Sequence, residues 1–196
     1  MTTNPLTLDE KRLLLRLARQ SIQLVTSHCP LPGLNLDEFS QTLREDGASF
    51  VTLTEYGELR GCIGALEAYQ PLVQDVCEHA AAAALEDYRF QPVRLDEVPQ
   101  LEIEISRLTP PIPLEYEHPQ DLLHLLRPGI DGVVLRDGLL RSTFLPQVWE
   151  KVDRPDEFLS HLCLKMGAPP NLWQRKILTV STYQVEEFSE EKKENV

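Results

Sequence analysis

The chain has 196 residues, 42% hydrophobic and 26% charged, enough for a substantial core in one large or two small domains. Its formal charge of −12 argues against generic binding to nucleic acid, which relies on clustered Lys and Arg, and against anionic membrane surfaces. No stretch is apolar for the length of a bilayer, no signal peptide opens the chain and no C-x-x-C pair occurs, so a cytoplasmic protein with reduced thiols and no metal site is expected.

Thr7-Leu8-Asp9-Glu10 reads as a capping box. The helix it opens carries Leu14, Leu17, Ala18, Ser21, Leu24 and Val25 at helical spacing, and it is expected to end near His28, before the breaker Cys29-Pro30-Leu31-Pro32-Gly33. Leu34 to Arg44 is ambiguous, with room for a short helix before Asp46-Gly47. Phe50 to Thr54 is rich in β-forming residues, Tyr56-Gly57 can turn the chain, and Leu59 to Leu66 then pairs back as a hairpin.

Leu59-Arg60-Gly61-Cys62-Ile63-Gly64 is the chemically notable run. In an extended strand Arg60, Cys62 and Gly64 share one face, and Leu59, Gly61 and Ile63 the other. Glycine inside a strand marks a bulge or the close approach of a backbone or ligand. A guanidinium beside a thiol favours the thiolate, although a buried structural cysteine is the competing explanation.

Pro71 suits a first helical turn, after which Leu72, Val73, Val76, Cys77, Ala80, Ala83 and Ala84 form one apolar stripe. Cys77 reads as a packed thiol there, and His79, at the edge of the stripe, is a secondary candidate base. Asp87-Tyr88-Arg89-Phe90-Gln91-Pro92 closes the helix; its Asp–Arg pair either carries function or locks the loop. Leu101, Ile103 and Ile105 alternate with Glu102, Glu104 and Ser106 as a half-buried strand. Gln120 to Arg127 predicts a short helix, and Asp137-Gly138 a hairpin between Ile130–Leu135 and Leu139–Leu145. Asp153 to Met166 predicts a helix capped by Asp153, with Pro155 in its first turn, Gly167 past its end and Cys163 on its buried face. Ile177 to Phe188 reads as one strand with a bulge between Val180 and Tyr183, and residues 189–196 as a flexible charged tail.

Taken together, Leu59 to Gly64, Asp87-x-Arg89-Phe90-x-Pro92, the strand Leu101 to Ser106, Asp131-Gly132, Leu145-Pro146-Gln147-Val148, Phe158-Leu159 and Lys165-Met166-Gly167 resemble the AMMECR family, whose microbial members are called AmmeMemoRadiSam system protein A. The resemblance implies a single AMMECR-type domain over residues 1–196 with an α+β fold of two unequal subdomains, each an antiparallel sheet with flanking helices, and a cleft between them faced by the glycine–cysteine motif. The larger subdomain is expected to take about residues 1–35 and 100–196, the smaller about 36–99. Family context implies a Memo-type protein and a radical S-adenosylmethionine enzyme as partners, an unknown small molecule, and no cofactor of this chain's own; an iron–sulfur cluster would belong to the partner. The family's activity is not established.

Two functions fit. One is an enzyme, or enzyme subunit, with Cys62 as reactive thiol, acid–base help from His79, Asp87 or Glu104, and ligand contacts from Leu59, Arg60, Gly61, Ile63, Gly64, Asp87 and Arg89. The other is a noncatalytic module that binds a ligand or partner through the same motif.

Overall fold

Thr7 opens the first helix, α1 (Leu8–Thr26), through both halves of the expected capping box: Glu10 N–H donates to Thr7 Oγ1 at 3.3 Å and Thr7 N–H to Glu10 Oε2 at 2.8 Å. In the computed structural model, which describes residues 5–190, α1 stops at Thr26, and His28 takes a positive φ of 58°. A 3-10 turn (Leu36–Glu38) and α2 (Gln41–Arg44) settle the ambiguous stretch as two short helical turns. Next come β1 (Asp46–Glu55), β2 (Glu58–Gly64), β3 (Gln70–Pro71), α3 (Leu72–Leu85), β4 (Leu101–Leu108) and β5 (Ile112–Pro113). After these follow α4 (Leu122–Leu125), β6 (Gly132–Asp137), β7 (Leu140–Phe144), α5 (Pro155–Lys165), α6 (Leu172–Arg175), β8 (Thr179–Tyr183) and β9 (Val185–Ser189). The architecture is α+β with two antiparallel sheets.

The chain packs as two units, one running to Leu108 and resuming at Glu186, the other Thr109–Val185. This division differs from the one read in the sequence. β1 pairs with the whole length of β4, from Ala48↔Leu108 to Glu55↔Leu101, so residues 36–99 cannot be separated from the strand after them.

The first unit holds the sheet β2-β1-β4-β9, with β3 paired to the start of β1. Odd-numbered Val51, Leu53, Ile103 and Ile105 bury one face against Leu14, Ala18 and Ile22 of α1 and Val73, Val76 and Ala80 of α3. Gly61 belongs to that face. A Cβ built on it would lie 2.2 Å from the carbonyl oxygen of Ala83, so the close approach expected at this glycine is made by the backbone of α3. The β1–β2 hairpin closes through Tyr56 and Gly57, both with positive φ (51° and 84°), as a two-residue turn matching the strand twist requires.

The second unit is built on the sheet β5-β8-β6-β7. Its core gathers Leu122, Val133, Leu135, Phe158, Leu162 and Trp173 around Trp149, whose ring stacks on Phe158 at 3.6 Å while its Nε1 donates to the Asp131 carbonyl at 2.7 Å. Gly132 lies under the Tyr183 ring, where a Cβ would meet carbon at 2.4 Å. The Asp131-Gly132 signature is therefore a packing device.

Three further expectations are corrected. The apolar run to Phe188 is two strands in different sheets: β8 pairs with β6 without a slip from Val180 to Tyr183, where a bulge is expected, and the break comes at Gln184, which bonds Thr109 instead of a ladder partner. Arg154, not Asp153, holds the N-cap position of α5 and uses its side chain to bind Asp156. Ser189 ends β9 and Glu190 is held by Arg19 and by the Ile103 carbonyl, so these two residues do not belong to a flexible tail; the rest of that expectation, residues 191–196, lies outside the described residues.

Gly61→Ala is expected to lower stability by about 1–3 kcal/mol, since a backbone carbonyl occupies the added methyl's place. Urea denaturation checks this; a midpoint equal to the wild type's would show that α3 yields without cost.

Candidate functional site

Because Gly61 faces the helices, Cys62 faces away from α1 and α3. It sits opposite Thr52, which in turn sits opposite Glu104, so the three form one row across β2, β1 and β4. Cys62 is half-buried, and Thr52 Oγ1 donates to its Sγ at 3.3 Å. Two strand spacings, roughly 9–10 Å, separate Glu104's backbone from that of Cys62. Any proton moving between them must pass through Thr52 or a bound molecule. Glu104 is exposed, yet desolvation on the sheet face, and then the Glu187 carboxylate, push it above the usual carboxylate range.

The register β1–β2 slips between Leu53 and Thr54: Leu53 opposes Gly61 and Thr54 opposes Leu59, leaving Arg60 as the bulged residue. Its guanidinium is committed elsewhere, to Glu97 Oε2 at 2.7 and 3.1 Å and to the Gln91 carbonyl at 2.8 Å. The guanidinium at Cys62 is Arg89's. Its Nη2 donates to the Cys62 carbonyl at 3.4 Å, and Asp87 Oδ2 accepts the Cys62 N–H at 2.9 Å. Arg89 also grips Asp87 through Nε at 2.9 Å and Nη2 at 2.6 Å.

β2 is an edge strand, and both outward backbone groups of Cys62 are thus satisfied by the Asp87–Arg89 pair as a further strand would satisfy them. The Arg89 hydrogen bonds, with the N–H of Cys62 behind them, hold the Asp87 carboxyl far below the usual carboxylate range; the same pairing raises Arg89. Leu59 is exposed, Ile63 packs toward the core, and Gly64 lies against the Phe50 ring and the Ser49 carbonyl, where a Cβ would be 2.4 Å from each. The two glycines therefore meet protein, not open space.

His79 is on the other side of the sheet from Cys62. It is nearly buried in α3, with Nδ1 3.1 Å from Asp75 Oδ2, an oxygen that also accepts Ser49 Oγ at 2.6 Å. Ser49 binds the carboxylate rather than the imidazole and is fully buried, so these residues do not form a nucleophile–base pair. They pin α3 to β1. Sequence reasoning missed Ser49 and Asp75, although Asp75 lies four residues before His79 on the arc between Leu72 and Ala83, where a polar i, i+4 pair stands out.

Burial pushes the thiols of Cys77 and Cys163 up, as suits packed side chains, whereas Cys29 is exposed. Cys29 and the half-buried Cys62 are therefore the two thiols not packed in a core. Among the described residues no three His, Cys, Asp or Glu side chains gather where they could hold a metal ion, and no helix is long and apolar enough to cross a membrane.

Two antiparallel sheets with flanking helices, and a half-buried thiol pinned at the edge of the larger sheet, define an α+β protein of two sheet units. The AMMECR1 family model matches residues 15–188, and the chain belongs to that family. It is 37% identical over 195 residues to a protein of Methanothermobacter thermautotrophicus (95% of this chain, 97% of the other). It is 39% identical over 199 residues to Protein MK0488 of Methanopyrus kandleri (96% and 92%). The crystal structure of the uncharacterized protein PH0010 from Pyrococcus horikoshii matches it with a TM-score of 0.75 at 34% identity, covering 91% of this chain and 90% of that one.

Asp87→Ala removes the acceptor at Cys62, and amide exchange there is expected to quicken about tenfold or more. The sign of the pH effect follows from Asp87's depressed folded-state value: its stabilisation is present above the unfolded value near 3.9 and is lost as pH falls through the folded one. Wild type and variant should therefore converge in stability as pH drops below about 4. Equal exchange rates at neutral pH would refute the clamp.

Proposed function

We propose that this AMMECR-family protein is an enzyme, or a subunit of one, with Cys62 as its reactive thiol. The observation that carries this reading is the Thr52 hydroxyl aimed at Cys62 Sγ, 3.3 Å away, on a strand whose backbone is clamped at that residue. A hydroxyl donor and the Arg89 guanidinium are groups that steady a sulfur nucleophile and the anionic part of a substrate. The clamp fixes where the sulfur points, which lowers the cost of reaching a reactive geometry. Glu104, raised by desolvation and by Glu187, is the proton donor or acceptor on the same face. In this reading the protein acts with a Memo-type protein and a radical S-adenosylmethionine enzyme.

A second reading, a noncatalytic module for a ligand or partner, is favoured by Tyr88. Its side chain is 95% exposed although both neighbours, Asp87 and Arg89, are fixed to β2, so the loop presents an aromatic anchor held in place.

Iodoacetamide labelling of the folded Cys29→Ser variant, followed by mass spectrometry, separates the two. Cys62 should label before Cys77 and Cys163, Cys62→Ser should abolish the fast phase, and Thr52→Val should slow it several-fold. Labelling of Cys62 only upon unfolding would sink the thiol reading. Loss of a copurifying Memo-type partner in Tyr88→Ala, with labelling unchanged, would favour the module.

A further inference from the structure

Among the described residues of the first unit, every Lys and Arg except Arg12 and Arg16 lies within 4.0 Å of a carboxylate, from Lys11 with Glu186 to Arg107 with the same residue. Acidic residues outnumber basic ones 31 to 19 in this chain, so two unpaired guanidiniums one helical turn apart stand out against the general pattern. They also share a place. Leu8, Lys11, Arg12, Leu15 and Arg16 recur at intervals of three and four along α1, and with Phe188 of β9 they line a cavity of about 420 Å³.

The floor and head of that cavity differ in chemistry. Leu8, although 61% exposed, Leu15 and Phe188 supply apolar surface. The carboxylate in the lining, Glu190, is already bound by Arg19, and the lining ammonium of Lys11 is bound by Glu186 at 2.8 Å. The Lys11 ammonium also lies 5.7 Å over the Phe188 ring, which fixes that ring as one wall. Arg12 and Arg16 are left as a pair of cations beside an apolar groove whose volume is in the range of small-molecule sites.

We propose that the groove between α1 and β9 binds an amphipathic small anion, its carboxylate or phosphate head held by Arg12 and Arg16 and its apolar body lying against Leu8, Leu15 and Phe188. Guanidinium groups suit such heads because they donate two parallel hydrogen bonds to one anion. A nucleic-acid occupant is disfavoured by the charge of −12. The site shares no residue with the Cys62 row and stands whether or not Cys62 is reactive.

Isothermal titration of the full chain with decanoate, decyl phosphate, decanol and inorganic phosphate, each below its micelle concentration, tests the proposal. One equivalent of decanoate or decyl phosphate should bind, with decanol and inorganic phosphate each about tenfold weaker or more; the ratio of the two anions tells which head is preferred. The double variant Arg12→Gln/Arg16→Gln, at exposed positions that leave folding intact by circular dichroism, should weaken both anions about tenfold or more. Equal binding of decanol and decanoate, equal affinity in the double variant, or no saturable anion binding would each overturn it. A dimer that the double variant dissociates, with no decanoate bound, would overturn it in favour of a second copy of the chain on this groove.

Discussion

The contact between Gly61 and the Ala83 carbonyl fixes the rest of the first unit's arrangement. With hydrogen in place of a side chain, β2 lies directly on the backbone of α3, and no other residue type fits at 2.2 Å. Strand alternation then leaves no freedom: Ile63 follows Gly61 toward the core, and Cys62 must face away from α1 and α3. The glycine that looked like room for a ligand instead orients the neighbouring thiol.

β2 is also an edge, and an edge strand presents unpaired backbone groups. Asp87 and Arg89 answer this with side chains, bonding the N–H and the carbonyl of one residue, Cys62. The ion pair that closes the sheet thus also fixes the backbone from which the sulfur projects and brings a guanidinium to that residue. Deep depression of the Asp87 carboxyl is the electrostatic counterpart of that geometry. At the opposite edge β9 meets α1, whose Arg12 and Arg16, without a carboxylate partner among the described residues, give this acidic chain a local cationic surface that its net charge conceals.

Much of this was readable from residues. The capping box at Thr7, the turn at Tyr56-Gly57, the Asp137-Gly138 hairpin and the buried faces of α3 and α5 each rest on contacts within a few residues, where local sequence carries the physics. The spaced motifs identified the AMMECR family although the contacts they serve are long-range, as with Gly61 against Ala83 and Gly132 against Tyr183. Sequence reading failed where long-range pairing decided the outcome. The run to Phe188 has the composition of one strand, yet its two halves join different sheets. The boundary of the first unit depended on β1 finding β4 across nearly fifty residues.

The sequence by itself determined the hairpins, the main helices and the importance of the Leu59–Gly64 strand, because alternation, turn chemistry and glycine spacing are local properties of the chain; the class of fold followed from the resemblance of its spaced motifs to a family. Only the tertiary structure decided which groups stand around Cys62. A bulge at Arg60 sends that guanidinium to Glu97, a loop from beyond α3 brings Arg89 and Asp87 in its place, and β1 carries Thr52 to the sulfur. Each of those neighbours comes from a different segment, and it is packing of the segments, not their order, that sets which charge lies beside the thiol.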